Sequence, residues 1–293
     1  MKELSKVLSW KNLLSYNPLS SDKINEYEEA YRNNGSFNGW FDGKKFQMDV
    51  IPTDVKYGIP VNIIGDPCLS NVFCCLINPS IDPAYSDNIN YDFKDYVDKI
   101  EDDDTFDKES GSFNESLFSI KSKNPVKYLD YYGRYYKLIE DILGKEELKT
   151  TDKICNIDLI PFRSKDPSVF KNRINPYSKF SVLVMLWKIS QKDSISQKPI
   201  FFLRSAQCYC KVINQVLNEL EENDIGIEGV SDFKDLIVKE ETLDDGYILG
   251  LGGGNASSTR KPYLLTENGK RYKKVEDVID GLSLLKNRVS RLL

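Results

Sequence analysis

The chain of 293 residues holds 40 Lys and Arg against 45 Asp and Glu, a net charge of −5; 40% apolar residues suffice for one large α/β domain or two small ones. It contains no histidine, which excludes Ser-His-Asp and Cys-His triads, imidazole general bases and His-ligated zinc. No stretch reaches the ~18 consecutive apolar residues of a membrane span, and MKELSKVLSWKNLLSYNP lacks the apolar run of a signal peptide, so a cytoplasmic protein without membrane contact is expected.

In chain order, residues 1–55 read as a helical extension. Lys2 to Arg32 divides into two helices broken at Asn17-Pro18, the second capped near Ser20 or Ser21 and stopped at Gly35. A domain over 56–293 follows. PVNIIGDP is a short, Pro-bounded strand, and NVFCCLI is nearly all apolar, as strands buried on both faces are. INPSIDPAYSD leaves that strand as a loop, and an acidic insert, DKIEDDDTFDKESG, occupies about 98–112. YLDYYGRYYKLIEDILG predicts a helix with an aromatic face. KICNIDLI predicts a buried strand halted by PFRSKDPS, and YSKFSVLVMLWKIS a helix. KPIFFLRS is a strand and AQCYCKVINQVLNELEEN a helix. DGYILG is a strand running into GGGNASSTRKP, and VEDVIDGLSLLKNRVSRL closes the chain as a helix.

Buried strands alternating with helices predict the α/β class, with a three-layer α/β/α architecture around a mostly parallel central sheet. The six cysteines include no Cys-x-x-Cys pair and read as buried thiols packed as small hydrophobes; a cluster held by Cys68, Cys155 and others is the alternative. Between Asn255 and Leu293, nine Lys and Arg face four acids. On charge alone this basic C-terminal tail is either a solvated helix or a face for phosphates.

In such sheets ligands bind beyond the carboxyl ends of the strands. That rule gathers INPS, IPFRS, LRSAQ and GGGNASSTR on one rim. Singly they are weak: Asn-Pro-Ser after a strand is commonly a turn, and Gly252-Gly253-Gly254 has no Gly-Lys-Ser/Thr after it.

As an ordered set, from about Val61 to Tyr263, these loops resemble the uracil-DNA glycosylase superfamily, in particular its mismatch-specific uracil/thymine branch. LINPSIDPAY resembles that branch's Gly-Ile-Asn-Pro-Gly motif with its following Ala-Tyr, with Ser80 replacing the glycine. The resemblance implies that Asn78 positions the attacking water, that Tyr91 stacks on the extruded base, and that Asn156, in CNIDLIPFRSKDPS, reads its pyrimidine edge. Ser80 borders the base and narrows the approach to the sugar. Asp82 and Asp87 are spare carboxylates, as a general base or as turn caps. GNASSTRKP resembles the loop that pushes into the duplex. Asn255, Ser257, Ser258 and Arg260 then contact DNA with Arg260 as the wedge, and Lys261, Arg163, Lys273 and Lys274 hold phosphates.

The implied protein is a monomeric DNA glycosylase with a uracil-DNA glycosylase-like fold, needing neither metal nor other cofactor. It excises uracil, mismatched thymine or, the preferred expectation, a modified cytosine such as that of phage DNA. Two other classes stay open: a non-catalytic binding module on the same fold, and a hydrolase of free nucleosides.

Overall fold

The computed structural model describes residues 1–14, 62–77, 106–107, 112–113, 154–161, 176–191, 198–241, 243, 245–251, 262–278 and 281–292. Among these, one sheet contains β2 (Ile63–Ile64), β3 (Val72–Leu76), β4 (Phe106–Asp107), β5 (Ser112–Phe113) and β6 (Ile154–Asp158). It also contains β7 (Ile200–Leu203), β9 (Ile248–Gly250), β10 (Tyr263–Leu265) and β11 (Arg271–Lys274). A separate parallel pair joins β1 (Lys2–Glu3) to β8 (Ile225–Gly226). The helices are α1 (Leu4–Val7), α2 (Trp10–Leu14), α3 (Pro176–Ser190), α4 (Ala206–Glu222) and α5 (Gly281–Leu292).

Strand order is β11-β10-β9-β7-β3-β6-β2-β5-β4. The central run β9-β7-β3-β6 is parallel, whereas β2 is antiparallel to β6, β10 to β9, and β11 to β10. The protein is therefore α/β, with a sheet of mostly parallel strands plus helices.

β3, β6 and β7 are buried at every position, which is why β3 and β7 are apolar without alternation, while β6 buries Asn156 and Asp158 among its apolar residues. Period two still sorts their two faces. Phe73, Cys75, Cys155, Ile157, Phe201 and Leu203 join one core with α3 and α4, and the Phe73 and Phe201 rings stack at 4.6 Å. α4 presents Tyr209, Val212, Ile213, Val216, Leu217 and Leu220 to that core at helical spacing. It ends where Asp224 turns left-handed (φ 58) and the Asn223 amide donates to the Glu219 carbonyl (2.6 Å). α3 is apolar nearly all round, and Pro176 opens it where a missing N–H costs nothing.

Two readings of local structure are corrected here. Within the first fourteen residues Leu4, Leu8 and Leu13 are buried in the main core, and Trp10 lies 5.0 Å from Trp187. These residues are not one continuous helix, since β1 pairs with β8 and the helix breaks between Val7 and Trp10. The closing helix starts only at Gly281, preceded by a single 3₁₀ turn at Val275–Asp277. The second N-terminal helix, the aromatic helix near 128–144 and most of the acidic insert lie outside the described residues.

Two buried cations sit at the amino edge of the parallel strands. Arg288 of α5 is 4% exposed and donates to the carbonyls of Leu243, Asp245, Pro199 and Gly246, tying the helix to the segments entering β7 and β9. Lys188, near the end of α3, is 2% exposed and donates to the Cys68 carbonyl at 2.8 Å. Burial pulls the Lys188 ammonium below its ordinary pKa, against the opposing pull of Cys68, Cys155 and Asp66.

Candidate active site

In the order β9-β7-β3-β6, the chain steps from β3 to β6 on one side, then returns to β7 on the other. The strands that follow β3 in the chain therefore lie on its two sides, and the order reverses between β3 and β7. This is the topological switch point where open α/β sheets bind ligands.

Main-chain hydrogen bonds fix the strand ends around it. Arg204 N–H donates to the Cys75 carbonyl (2.9 Å), Ile160 N–H to Ile77 (2.7 Å) and Leu251 N–H to Leu203 (2.8 Å). Four segments thus leave one edge: from Ile77 into Asn78, from Pro161 into Phe162, at Arg204-Ser205, and from Leu251 into Gly252. The edge is anchored from below. The Tyr209 hydroxyl donates to the Leu76 carbonyl (2.6 Å) and lies 3.1 Å from that of Ile157. Ser181 donates to the Asp158 carbonyl (2.7 Å), Asn62 Nδ2 donates to Ser181 (2.8 Å), and the Asp158 N–H donates back to the Asn62 carbonyl (2.7 Å).

Of the residues expected at the site, Asn156, Lys273 and Lys274 are described; Asn78, Ser80, Asp82, Asp87, Tyr91, Arg163, Asn255, Ser257, Ser258, Arg260 and Lys261 lie outside the described residues. Asn156 is 2% exposed, opposite Cys74 of β3 and Ile64 of β2. It is the third residue of β6 and not at its end, because pairing continues to Asp158, opposite Leu76. Alternation places Asn156 on the sheet face of Ile154 and Asp158, away from the core shared with α3 and α4.

Lys273 and Lys274 are already ion-paired, with Glu240 and with Glu276 (3.5 Å) respectively. With Arg288 buried as well, fewer of the tail's cations face solvent unpaired than its composition implies. Antiparallel pairing sets Lys274 opposite Tyr263, and the Val275 N–H donates to Pro262 (3.2 Å), so Lys274 borders the end of the 252–261 segment.

Sequence reasoning gave no role to four groups, although it set LRSAQ on the rim. Asp158 is a carboxylate buried to 1% at the end of β6. Arg204 and Ser205 form the strand-to-helix turn, where Ser205 is left-handed (φ 57, ψ 49) and its side chain does not cap α4. Tyr209 is the phenol under the strand ends. Arg204 carried a visible signal, a charge terminating an apolar run; Asp158, set inside one, and Tyr209 carried none.

Thiol chemistry finds no support at this edge. Burial pushes Cys74 up to about 12 and Cys75 well above the ordinary thiol range, the latter raised further by neighbouring Cys74, Cys155 and Asp158. Among the described residues no group of three His, Cys, Asp or Glu is arranged to hold a metal ion, and no helix is long and apolar enough to cross a membrane. No protein family, curated protein or solved structure matches this chain.

Proposed function

We propose that this protein is a monofunctional DNA glycosylase on a three-layer α/β/α fold, flipping a pyrimidine out of the duplex and hydrolysing its N-glycosidic bond. One observation carries the reading: the segments with Asn78, Arg163 and residues 252–261 follow the carboxyl ends of the parallel strands β3, β6 and β9 around a switch point, with Asn156 buried within β6. The chemistry suits a chain without histidine. As the C1′–N1 bond breaks, the sugar becomes oxocarbenium-like, so the Asn78 amide has only to orient water on the open face. Water oxygen bonds to C1′ and gives up its proton, to Asp82 or Asp87 or to solvent, while the pyrimidine leaves as an anion stabilised by main-chain N–H groups. Asn156 reads the base edge and Tyr91 stacks on it. The loop from 254 to 260 fills the gap with Arg260, at a flipping cost of a few kcal/mol.

Three consecutive glycines before Asn255 leave the rim short of side chains, which suits a bulky base, so a modified cytosine of phage DNA is preferred over uracil. The decisive experiment measures base release from matched duplexes holding uracil, mismatched thymine, or hydroxymethylated or glucosylated cytosine. We expect release of a modified cytosine, and loss of that release in Asn78→Ala with DNA affinity kept within a few-fold. Excision of uracil alone returns the protein to repair; no release from any duplex removes the proposal.

The ion pairing of Lys273 and Lys274 favours a second reading, a hydrolase of free nucleosides, which needs no long phosphate track. Release of base from nucleosides but not from DNA selects it.

A further inference from the structure

We infer that the β10–β11 hairpin is a second nucleic-acid-contacting element beside the switch point, with Lys270 and Arg271 on phosphates and Tyr272 stacked on a base. The inference rests on the glycosylase reading for its substrate and names a contact outside the loops that reading uses.

Its position comes first. Gly269 in the hairpin turn has φ +69, and a Cβ there would lie 3.1 Å from the Ala206 carbonyl oxygen and 3.2 Å from Cys210 Cβ. The turn therefore rests on the first turns of α4, the helix that starts at the switch point. At the hairpin's other end, the Val275–Pro262 hydrogen bond (3.2 Å) holds it beside the segment returning from residues 252–261. The hairpin flanks the mouth of the site.

The backbone is irregular at one place. Leu264 faces Lys273, but Leu265 faces Arg271, so Tyr272 is an extra residue with no partner on β10. Such a bulge re-aims side chains at a sheet edge. Tyr272 is 62% exposed, a large ring held in water on a backbone that is otherwise paired. Beside it Lys270 and Arg271 are exposed, and among the described residues neither forms an ion pair. The Arg271 guanidinium lies 5.5 Å from the centre of the buried Tyr263 ring, which steadies it. Lys273 and Lys274 stand next to them in surface ion pairs, a type that exchanges for phosphate at little cost.

Cations beside an exposed ring match a ligand offering anions and flat π faces together. A nucleic-acid strand has both, its phosphates for the cations and its bases for the ring. An acidic peptide has only the first. A second copy pairing along β11 would have to accommodate the bulge and a row of like charges.

The test uses the full chain and anisotropy of labelled single-stranded and duplex DNA across a salt series, with base release measured in parallel. Lys270→Ala/Arg271→Ala should reduce the slope of log K against log salt by roughly two contacts' worth. Tyr272→Ala should weaken single-strand binding by about tenfold with the slope unchanged. Both variants should melt with the parent, since all three side chains are exposed. If both bind like the parent, the hairpin inference is wrong and the glycosylase reading stands. If both lose affinity as expected but the parent releases no base, the hairpin inference stands and the glycosylase reading fails. A parent that binds no DNA overturns both. Variants that self-associate while binding DNA normally overturn the inference and leave the strip as edge protection.

Discussion

The two edges of the parallel strands both bury polar side chains, and they complete them differently. At the amino edge, Arg288 directs its N–H groups at four main-chain carbonyls, so its chemistry is consumed within the fold. At the carboxyl edge, Tyr209, Ser181 and Asn62 fix the strand ends, and the chain continues from them toward Asn78, Arg163 and the 252–261 segment. A buried cation among carbonyls is scaffold; a fixed strand end that releases its chain is where a site can be built.

The largest expected effect tests the scaffold side. Arg288→Met should lower stability by about 3 kcal/mol, because several buried carbonyls lose their donor together. The denaturant midpoint measures this, and the salt dependence of DNA binding should not move. A changed salt slope with an unchanged midpoint would put Arg288 on the other side of the comparison.

At the carboxyl edge, Tyr209→Phe removes only a hydroxyl and should cost about 1–2 kcal/mol. It should also slow base release at saturating DNA, because the Leu76 end leads directly into Asn78. DNA affinity should hold. Stability loss with full turnover would make Tyr209 scaffold as well.

Lys188 sharpens the contrast within the amino edge, since among the described residues its ammonium donates to one carbonyl where Arg288 donates to four. Lys188→Met should raise stability at neutral pH by about 1 kcal/mol. The folded-state pKa is lowered, so between it and 10.5 the unfolded chain binds more protons, and parent stability gains with pH from this group. The advantage of Lys188→Met should therefore shrink as pH rises toward 10.5. The cysteines act oppositely: Cys68 is pushed up to about 11 and Cys74 to about 12, so the folded state holds protons that the unfolded thiols release above about 9. Cys74 is common to both proteins and cancels in the difference, whereas Cys68 loses the lowering effect of Lys188 in Lys188→Met and so narrows the gap further above about 9. A gap that widens with pH would contradict this account.

The smallest expected effect is at Lys273. Glu240→Gln frees that lysine and should leave the denaturation midpoint unresolved from the parent, while DNA affinity rises a few-fold and the salt slope steepens by about one contact. No steepening would mean that Lys273 faces away from the DNA.

The elements legible in the sequence were those whose signal is local. NVFCCLI is apolar because both faces are covered, KICNIDLI is mostly so, and AQCYCKVINQVLNEL repeats its core positions at helical spacing. β10 and β11 escaped because three or four residues give no periodicity, and an edge strand with Arg271, Lys273 and Lys274 carries no burial signal. MKELSKVLSW reads as a helix because the pairing that makes β1 lies with residues far down the chain. The basic tail was overcounted for the same reason: a sum of charges does not reveal that Arg288 reaches Pro199, or Lys273 Glu240. At the candidate site, the edge that bears the loops was readable from strand order and apolar runs. The depth of Asn156 was not, since it depends on where pairing with β3 stops.

The parallel pairing of Lys2 and Glu3 with Ile225 and Gly226 has a consequence during synthesis. The partners are more than two hundred residues apart, so at roughly 5–20 residues per second the beginning of the chain waits tens of seconds for its place. Through that interval Leu4, Leu8 and Leu13, which end in the core, have no core to enter. Until residues 225 and 226 emerge, a short apolar segment stays uncovered, and completion of α3 and β8 is the event that withdraws it.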